Sequence, residues 1–373
     1  MQRRSVDCLV VGGGLIGLLT AIELRRAGRE VTVLERGRPV AESSWAGGGI
    51  LSPLYPWRYP APVRALARWS QRHYAALAQW LHSLSGVDPE YRQCGLLILD
   101  AGSEREAARR WLEEDGRWHR WPDPAALQRL QPGLAVEAEA EDEALWLPWV
   151  AQVRNPRFGR ALVGAAQRLG VRIVPDTPVR RLVEAAPGQA AAETDAARWI
   201  PRHLVVAGGA WSGTLLAALG WRAPIRPVRG QMLLLRVAPG EVRTLLLFGG
   251  RYLIPRRDGH LVLGSTMEEV GFDKSTTREA REALLAAARR VLPMLAGLPV
   301  LRHWAGLRPG SPRGVPAIGP VPGWRNLYLN AGQFRNGVVM GPASARLLAD
   351  LVLEREPILD PGPYRPDRAL AGR

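Results

Sequence analysis

Three stretches of the chain carry residues whose types and spacing suit particular chemistry. Gly12-Gly13-Gly14-Leu15-Ile16-Gly17 is a G-x-G-x-x-G turn between an apolar run at 6–11 and an Ala/Leu/Arg-rich helical pattern closed by Gly28. Gly12 suits the tight turn, Gly14 lets backbone approach a pyrophosphate, and Gly17 lets helix and strand pack closely. The first-turn amides of that helix then face the phosphates. A second apolar run at 31–34 ends in Glu35, which can accept hydrogen bonds from both hydroxyls of an adenosine ribose. It would repel a 2′-phosphate, which favours FAD or NAD over NADP. Next come Ser43 and Ser44, hydroxyls suited to a pyrophosphate, and Gly47 to Gly49, where backbone can lie against a flat ring. Arg308 stands alone among apolar neighbours in HWAGLRPG (303–310), which suits a bidentate clamp on a carboxylate. Residues 330–342 (NAGQFRNGVVMGP) end a strand and open a helix, whose N-terminus is a second ready site for negative charge.

The elements that position these residues follow from periodicity. The start of the chain reads as a β-α-β unit, and LVVAGGA at 204–210 as a buried strand returning to the same sheet. Alternating segments at 95–100, 228–237, 252–255 and 260–264 predict an antiparallel or mixed sheet. Helical patterns fall at 62–84, 104–115, 156–169, 276–291 and 340–355, with Asn155 as cap before Pro156. The fold class is therefore α/β: a Rossmann-like dinucleotide domain with an interleaved substrate domain on a mixed or antiparallel sheet. The dinucleotide domain takes 1–85, 150–220 and 302–373; the substrate domain takes 86–149 and 221–301. The Pro- and Arg-rich tail from 357 to 373 is expected to wrap loosely or fray.

Composition excludes several classes. The 373 residues are 47% hydrophobic and 23% charged, which fits neither a disordered chain nor a multi-span membrane protein. Only Cys8 and Cys94 are present and the six histidines form no ligand motif, so no metal site is expected. The charge of +15 invites a nucleic-acid or membrane-surface reading. Its 50 cations are all arginine except Lys274 and are scattered without runs, the mark of coding bias rather than of a binding patch. The N-terminus lacks a signal-like apolar stretch, and a cytoplasmic location is expected. Ser43 and Ser44 have no base partner in sequence, which argues against a hydrolase.

Beyond the opening turn, the segments VTVLERG, ESSWAGGGILSPLYPWRYP, VRNPR, PVRGQM, RYLIPRRDGHLVLGSTM, HWAGLRPGSPRG and FRNGVVMGPAS resemble the D-amino-acid oxidase superfamily of FAD-dependent amine oxidoreductases. The resemblance is strongest to its glycine oxidase subgroup and spans residues 9 to about 345. It implies that Arg308 pairs with the substrate carboxylate and that Tyr252 helps hold it. It further implies that Met267 is an apolar pocket wall and that Arg335 lines the substrate and flavin edge. Leu15, Ile16, Glu35, Arg36, Ser43, Ser44 and Gly48, Gly49 and Ile50 match FAD contacts, and Val179 matches a residue meeting the adenine. Gly332, Gln333, Phe334, Arg335, Asn336, Gly337, Val338 and Val339 match the loop at the flavin ring.

The implied activity is oxidation of glycine, sarcosine or small D-amino acids by hydride transfer to flavin N5, giving an imine and then a 2-oxo acid and ammonia, with dioxygen reduced to peroxide. A role in forming the thiamine thiazole, noncovalent FAD (no cysteine follows Cys94) and a homotetramer are implied in the same way. Two alternatives stay open: an amine dehydrogenase for sarcosine, proline or a D-amino acid that uses a quinone, and a tRNA-modifying flavin domain.

Overall fold

A computed structural model describes residues 2–135 and 144–371. Its strands are β1 (Gln2–Val11), β2 (Val31–Leu34), β3 (Arg92–Gln93), β4 (Leu96–Ile98), β5 (Leu145–Leu147), β6 (Ala151–Gln152), β7 (Arg172–Val174), β8 (Arg181–Ala186), β9 (Gln189–Glu193) and β10 (Ala197–Val206). They continue with β11 (Arg226–Arg236), β12 (Leu245–Phe248), β13 (Arg251–Pro255), β14 (His260–Gly264), β15 (Arg302–Gly310), β16 (Ala317–Pro320) and β17 (Leu327–Ala331).

One sheet runs β16-β17-β10-β1-β2-β7, with the β8–β9 hairpin joined to β10. Its centre is parallel, with Val11 beside Val206 on one flank and Leu34 on the other. Cys8, Leu9 and Val10 are completely buried between helix layers, as a continuous apolar run in a parallel sheet requires. A second sheet runs β15-β11-β14-β13-β12-β4-β5, antiparallel except where β4 lies parallel to β12. The α/β class with a second, mixed sheet is as expected from sequence. β15, placed with the dinucleotide half by the boundary at 302, instead pairs with β11 along its whole length, Arg226 opposite Gly310 and Leu234 opposite Arg302. Its apolar run answers to a partner strand rather than to the next segment in the chain, so adjacency in sequence misled.

Helix Leu15–Arg26 packs on helix Gly337–Val352, close enough that a Cβ at Gly341 would lie 2.7 Å from Leu15 Cδ2. The second helix contains Pro342, which has no N–H to give Val338 four residues earlier. Helix Ala61–Ser85 repairs the gap with two side chains one turn apart. Tyr74 donates its hydroxyl to Val338 O at 2.5 Å, and Ser70 Oγ accepts the Ala343 N–H at 3.0 Å. Both groups are fully buried.

Two local expectations are corrected. Asn155 is the first helical residue and not the cap; its side-chain amide donates instead to Ser44 O at 2.9 Å. The tail through residue 371 docks. Tyr364 is 2% exposed and donates to Pro62 O at 2.8 Å, and Ala369 and Leu370 are buried, so these apolar side chains overcome the Pro/Arg-rich composition.

Tyr74→Phe should leave the Val338 carbonyl buried without a donor, and so lower unfolding stability by about 1–3 kcal/mol. Urea denaturation of the holoprotein checks this; an unchanged midpoint and slope would show that the helix does not need the repair.

Candidate functional site

The two sheets meet along a cleft of about 380 Å³, within the range of small-molecule sites. At one end lies the turn from β1 into helix Leu15–Arg26. Gly12 has φ +113°, and a Cβ there would fall 2.5 Å from Ala207 O, which explains the glycine. At Gly17 a Cβ would fall 1.9 Å from Gly12 O, so helix and turn can close only without it. The helix begins at Gly14 without a side-chain cap and has no acid in its first turn. A glycine-lined N-terminus without an acid of its own is the arrangement that receives a phosphate.

Ser44 Oγ accepts the Leu15 N–H at 2.8 Å, which keeps its own proton for a ligand. Glu35 accepts from Gly13 N at 2.7 Å and from Gly37 N at 3.1 Å, so it holds the turn as well as facing the cleft. Sequence alone assigned these two side chains only to a ligand; their backbone partners come from segments that folding brings alongside. Arg36 lies over the Trp211 ring, 3.5 Å from its centroid.

Residues 43–50 cross from this end to the second sheet. Gly48 leaves room for Tyr252 and Ile254: a Cβ there would lie 3.2 Å and 2.5 Å from those side chains. Its carbonyl is held by Arg256, a buried cation that sequence reading passed over. Arg256 donates to Gly48 O (2.7 Å), Gln152 Oε1 (2.6 Å) and Val153 O (3.0 Å), and burial pushes its pKa down to about 10. The only hint in the sequence was its place in the YLIPRRDG segment.

At the other end of the cleft, β15 presents Arg308 and β13 presents Tyr252. Arg308 is half-buried and donates only to neutral oxygens: Ser265 Oγ at 2.7 Å, Thr266 O at 3.1 Å and Arg229 O at 3.4 Å. Burial lowers its pKa, with Tyr252 opposing and Arg335 adding to the shift. Gly230, on β11, gives it room. A Cβ at Gly230 would lie 2.2 Å from Arg308 Nη2, a clash no sequence motif announced. The Tyr252 ring lies over Gly264 on β14, and its hydroxyl faces both Arg308, with which it shares a hydrogen-bonding interaction, and Met232 Sδ at 3.9 Å. Arg335, on a single 3-10 turn, reaches Gly250 O at 3.4 Å.

Most expected site residues line this one cleft: Gly12, Gly14, Leu15, Ile16, Glu35, Arg36, Ser43, Ser44, Gly48, Gly49, Ile50, Val179, Tyr252, Arg308, Gln333, Phe334, Arg335, Gly337 and Val338. Five do not. Gly17 and Gly332 shape turns behind the wall, Asn336 and Val339 are buried in it, and Met267 is 57% exposed on a loop outside it. Met232, whose thioether faces Tyr252, lines the cleft. Met267 follows β14 by three residues, where the chain has already turned outward.

Ser44→Ala should remove the Leu15 acceptor and a phosphate donor together, weakening FAD affinity about tenfold. Quenching of flavin fluorescence on titration into apoprotein measures it; an unaltered Kd would take Ser44 out of the phosphate site.

The acid-free helix N-terminus, the glycine-lined approach and a cleft long enough to join the two sheets fit FAD. A family model described as FAD dependent oxidoreductase (DAO) matches residues 7–351. The chain is 47% identical to glycine oxidase of Pseudomonas aeruginosa over 97% of its own length and 99% of that protein. It is 34% identical to the bifunctional protein ThiO/ThiG of a Nostoc species, over 94% of this chain and 53% of that one. The crystal structure of glycine oxidase from Geobacillus kaustophilus superposes with a TM-score of 0.91 at 27% identity, covering 99% of each chain. This chain belongs to the DAO family of FAD-dependent oxidoreductases.

Proposed function

We propose that the protein oxidises glycine and other small amino acids or N-methyl amines such as sarcosine. The observation that carries this is Arg308, a guanidinium facing the same cleft as the phosphate turn with no carboxylate partner among the described residues. FAD, when bound, supplies the two-electron acceptor for the substrate Cα–H bond and passes the electrons to dioxygen.

Gly12, Gly14, Leu15, Ile16, Ser43 and Ser44 would hold its pyrophosphate, with Glu35 at the ribose and Val179 near the adenine. Gly48 to Ile50 and Gln333 to Val338 would flank its ring. Cys8 and Cys94 are absent from the cleft wall, which supports noncovalent attachment. Arg308 uses Nη1 and one hydrogen of Nη2 on protein oxygens. Its Nε–H and the second Nη2 hydrogen form the edge that pairs with a carboxylate. The Tyr252 hydroxyl, whose oxygen interacts with Arg308, keeps its own proton as a third donor. Together they fix the substrate's carboxylate, and thereby which face of Cα looks across the cleft.

No histidine lines the cleft, and its two carboxylates are engaged elsewhere: Glu35 with Gly13 and Gly37, Glu42 with Arg36 and Lys274. A protein base for the substrate is thus missing among the described lining residues. The substrate amine must lose its proton to water before it reacts. We also propose dioxygen as acceptor, a cytoplasmic homotetramer, and a part in thiamine thiazole formation, which the fused ThiO/ThiG relative supports. No helix among the described residues is long and apolar enough to cross a membrane.

Arg308→Lys keeps the charge but loses the two-pronged edge. It should raise KM for glycine about ten- to a hundredfold, with the bound-flavin spectrum retained; a peroxide-coupled assay with wild-type KM would overturn the assignment. The ascending limb of kcat/KM against pH should follow the amine pKa of whichever substrate is used. A limb fixed at one pH for glycine and sarcosine alike would point instead to a protein base.

A further inference from the structure

Arg308 does not orient itself. Its three acceptors lie on two short pieces of chain, Arg229 on β11 and Ser265–Thr266 after β14. Those pieces are joined two residues further on. Arg229 and Glu268 exchange both backbone hydrogen bonds, at 2.9 and 3.0 Å, and Gln231 N donates to Thr266 Oγ1 at 2.9 Å. The side chains repeat the link. The Arg229 guanidinium, almost wholly buried, donates through Nε to Glu268 Oε2 at 2.8 Å and through a second, shorter bond to the same oxygen. The fully buried Gln231 amide donates to Glu268 Oε1 at 2.9 Å and accepts from Thr277 N at 2.8 Å.

We propose that Glu268 is a positioning residue for the carboxylate seat, acting on Arg308 through Arg229, Gln231 and the Ser265–Thr266 turn. A buried guanidinium must keep its counter-ion or move. Asp273, itself half exposed, is the other carboxylate on Arg229, so removing the Glu268 charge frees the Arg229 side chain to turn outward. The Arg229 backbone carbonyl serves both Glu268 N and Arg308 Nη1, so any shift of that residue rotates the edge that meets the substrate. Burial opposes ionisation of Glu268. Hydrogen bonds from Thr266, Arg229 and Gln231 outweigh it and hold the carboxyl below its ordinary range. Glu268 does not line the cleft. Its effect is geometric.

This inference rests on Arg308 being the carboxylate site, and the experiment separates the two. Acetate, a carboxylate without an amine, is titrated into the FAD-loaded enzyme and its Kd read from the flavin absorbance change. Glycine KM and kcat are measured alongside, for the wild type, Glu268→Gln, Glu268→Asp, Arg308→Lys and, as a neighbouring charge control, Glu269→Gln. Glu269 is exposed and, among the described residues, pairs with Arg226. Glu268→Gln should raise acetate Kd and glycine KM at least about fivefold while kcat and FAD retention stay near wild type. Glu268→Asp should fall between the two, and Glu269→Gln should match wild type. Weaker acetate binding in Arg308→Lys with wild-type binding in Glu268→Gln would overturn this inference alone. Acetate binding that ignores Arg308→Lys would overturn the functional reading beneath it. Should Glu268→Gln fail to fold, Glu268→Asp carries the test, and a lowered Tm with unaltered acetate Kd in that variant would reduce Glu268 to a structural role.

Discussion

A guanidinium taken out of water and given only neutral acceptors is an unbalanced charge, and the second half of the molecule is arranged around that imbalance. Arg308 is held by one hydroxyl and two carbonyls. Hydrogen bonds orient it without neutralising it, so the most favourable occupant of the neighbouring space is an anion. The usual resolution, a nearby Asp or Glu, would fill the seat with the protein's own carboxylate. The acids present nearby are committed: Glu268 and Asp273 to Arg229, and Glu42 to Arg36 and Lys274.

Keeping that cation beside a cofactor requires neighbouring strands of the second sheet, and the 43–50 segment that crosses it, to approach more closely than ordinary side chains allow, and missing side chains make this possible. Gly230 clears the Arg308 guanidinium, Gly306 clears Ala46, and Gly48 clears Tyr252 and Ile254. The contacts are clamped by polar groups from elsewhere in the chain. Arg256 holds Gly48 O, Asn155 holds Ser44 O, and Trp304 Nε1 holds Ala46 O at 3.1 Å. The crossing segment 43–50 is therefore pinned from both halves, which gives a cofactor lying along it a fixed relation to Arg308. The Pro342 helix behaves alike: a broken backbone bond at its cleft-facing start is made good by Tyr74, so the wall formed by Val338 stays in place.

Local chemistry made much of this readable in advance. The phosphate turn could be found because its constraints are steric and lie within six residues, and the β1–β2 pair because both strands are continuous apolar runs. Arg308 stands out as a cation between apolar neighbours, although a chain with 50 cations gives little contrast, and its role comes from resemblance. What escaped was whatever depended on a partner far away. A boundary at 302 does not show that β15 pairs with β11, Met267 lies outside the cleft lining, and nothing local marks the contacts of Arg256, Gly230 and Glu268. Composition points to a loose tail because it does not reveal that Tyr364 finds a half-buried acceptor 302 residues earlier.

The sequence by itself determined the dinucleotide turn, the acid at the end of β2, the α/β class and the supply of residues for a carboxylate-binding redox site. Those follow from periodicity, glycine sterics and charge, which act between near neighbours. Tertiary structure decided which strand carries Arg308 into which sheet, which glycines stand opposite it, and which carboxylates are occupied and so withheld from it. These depend on distances between residues separated by tens to hundreds of positions, set only when both sheets have packed.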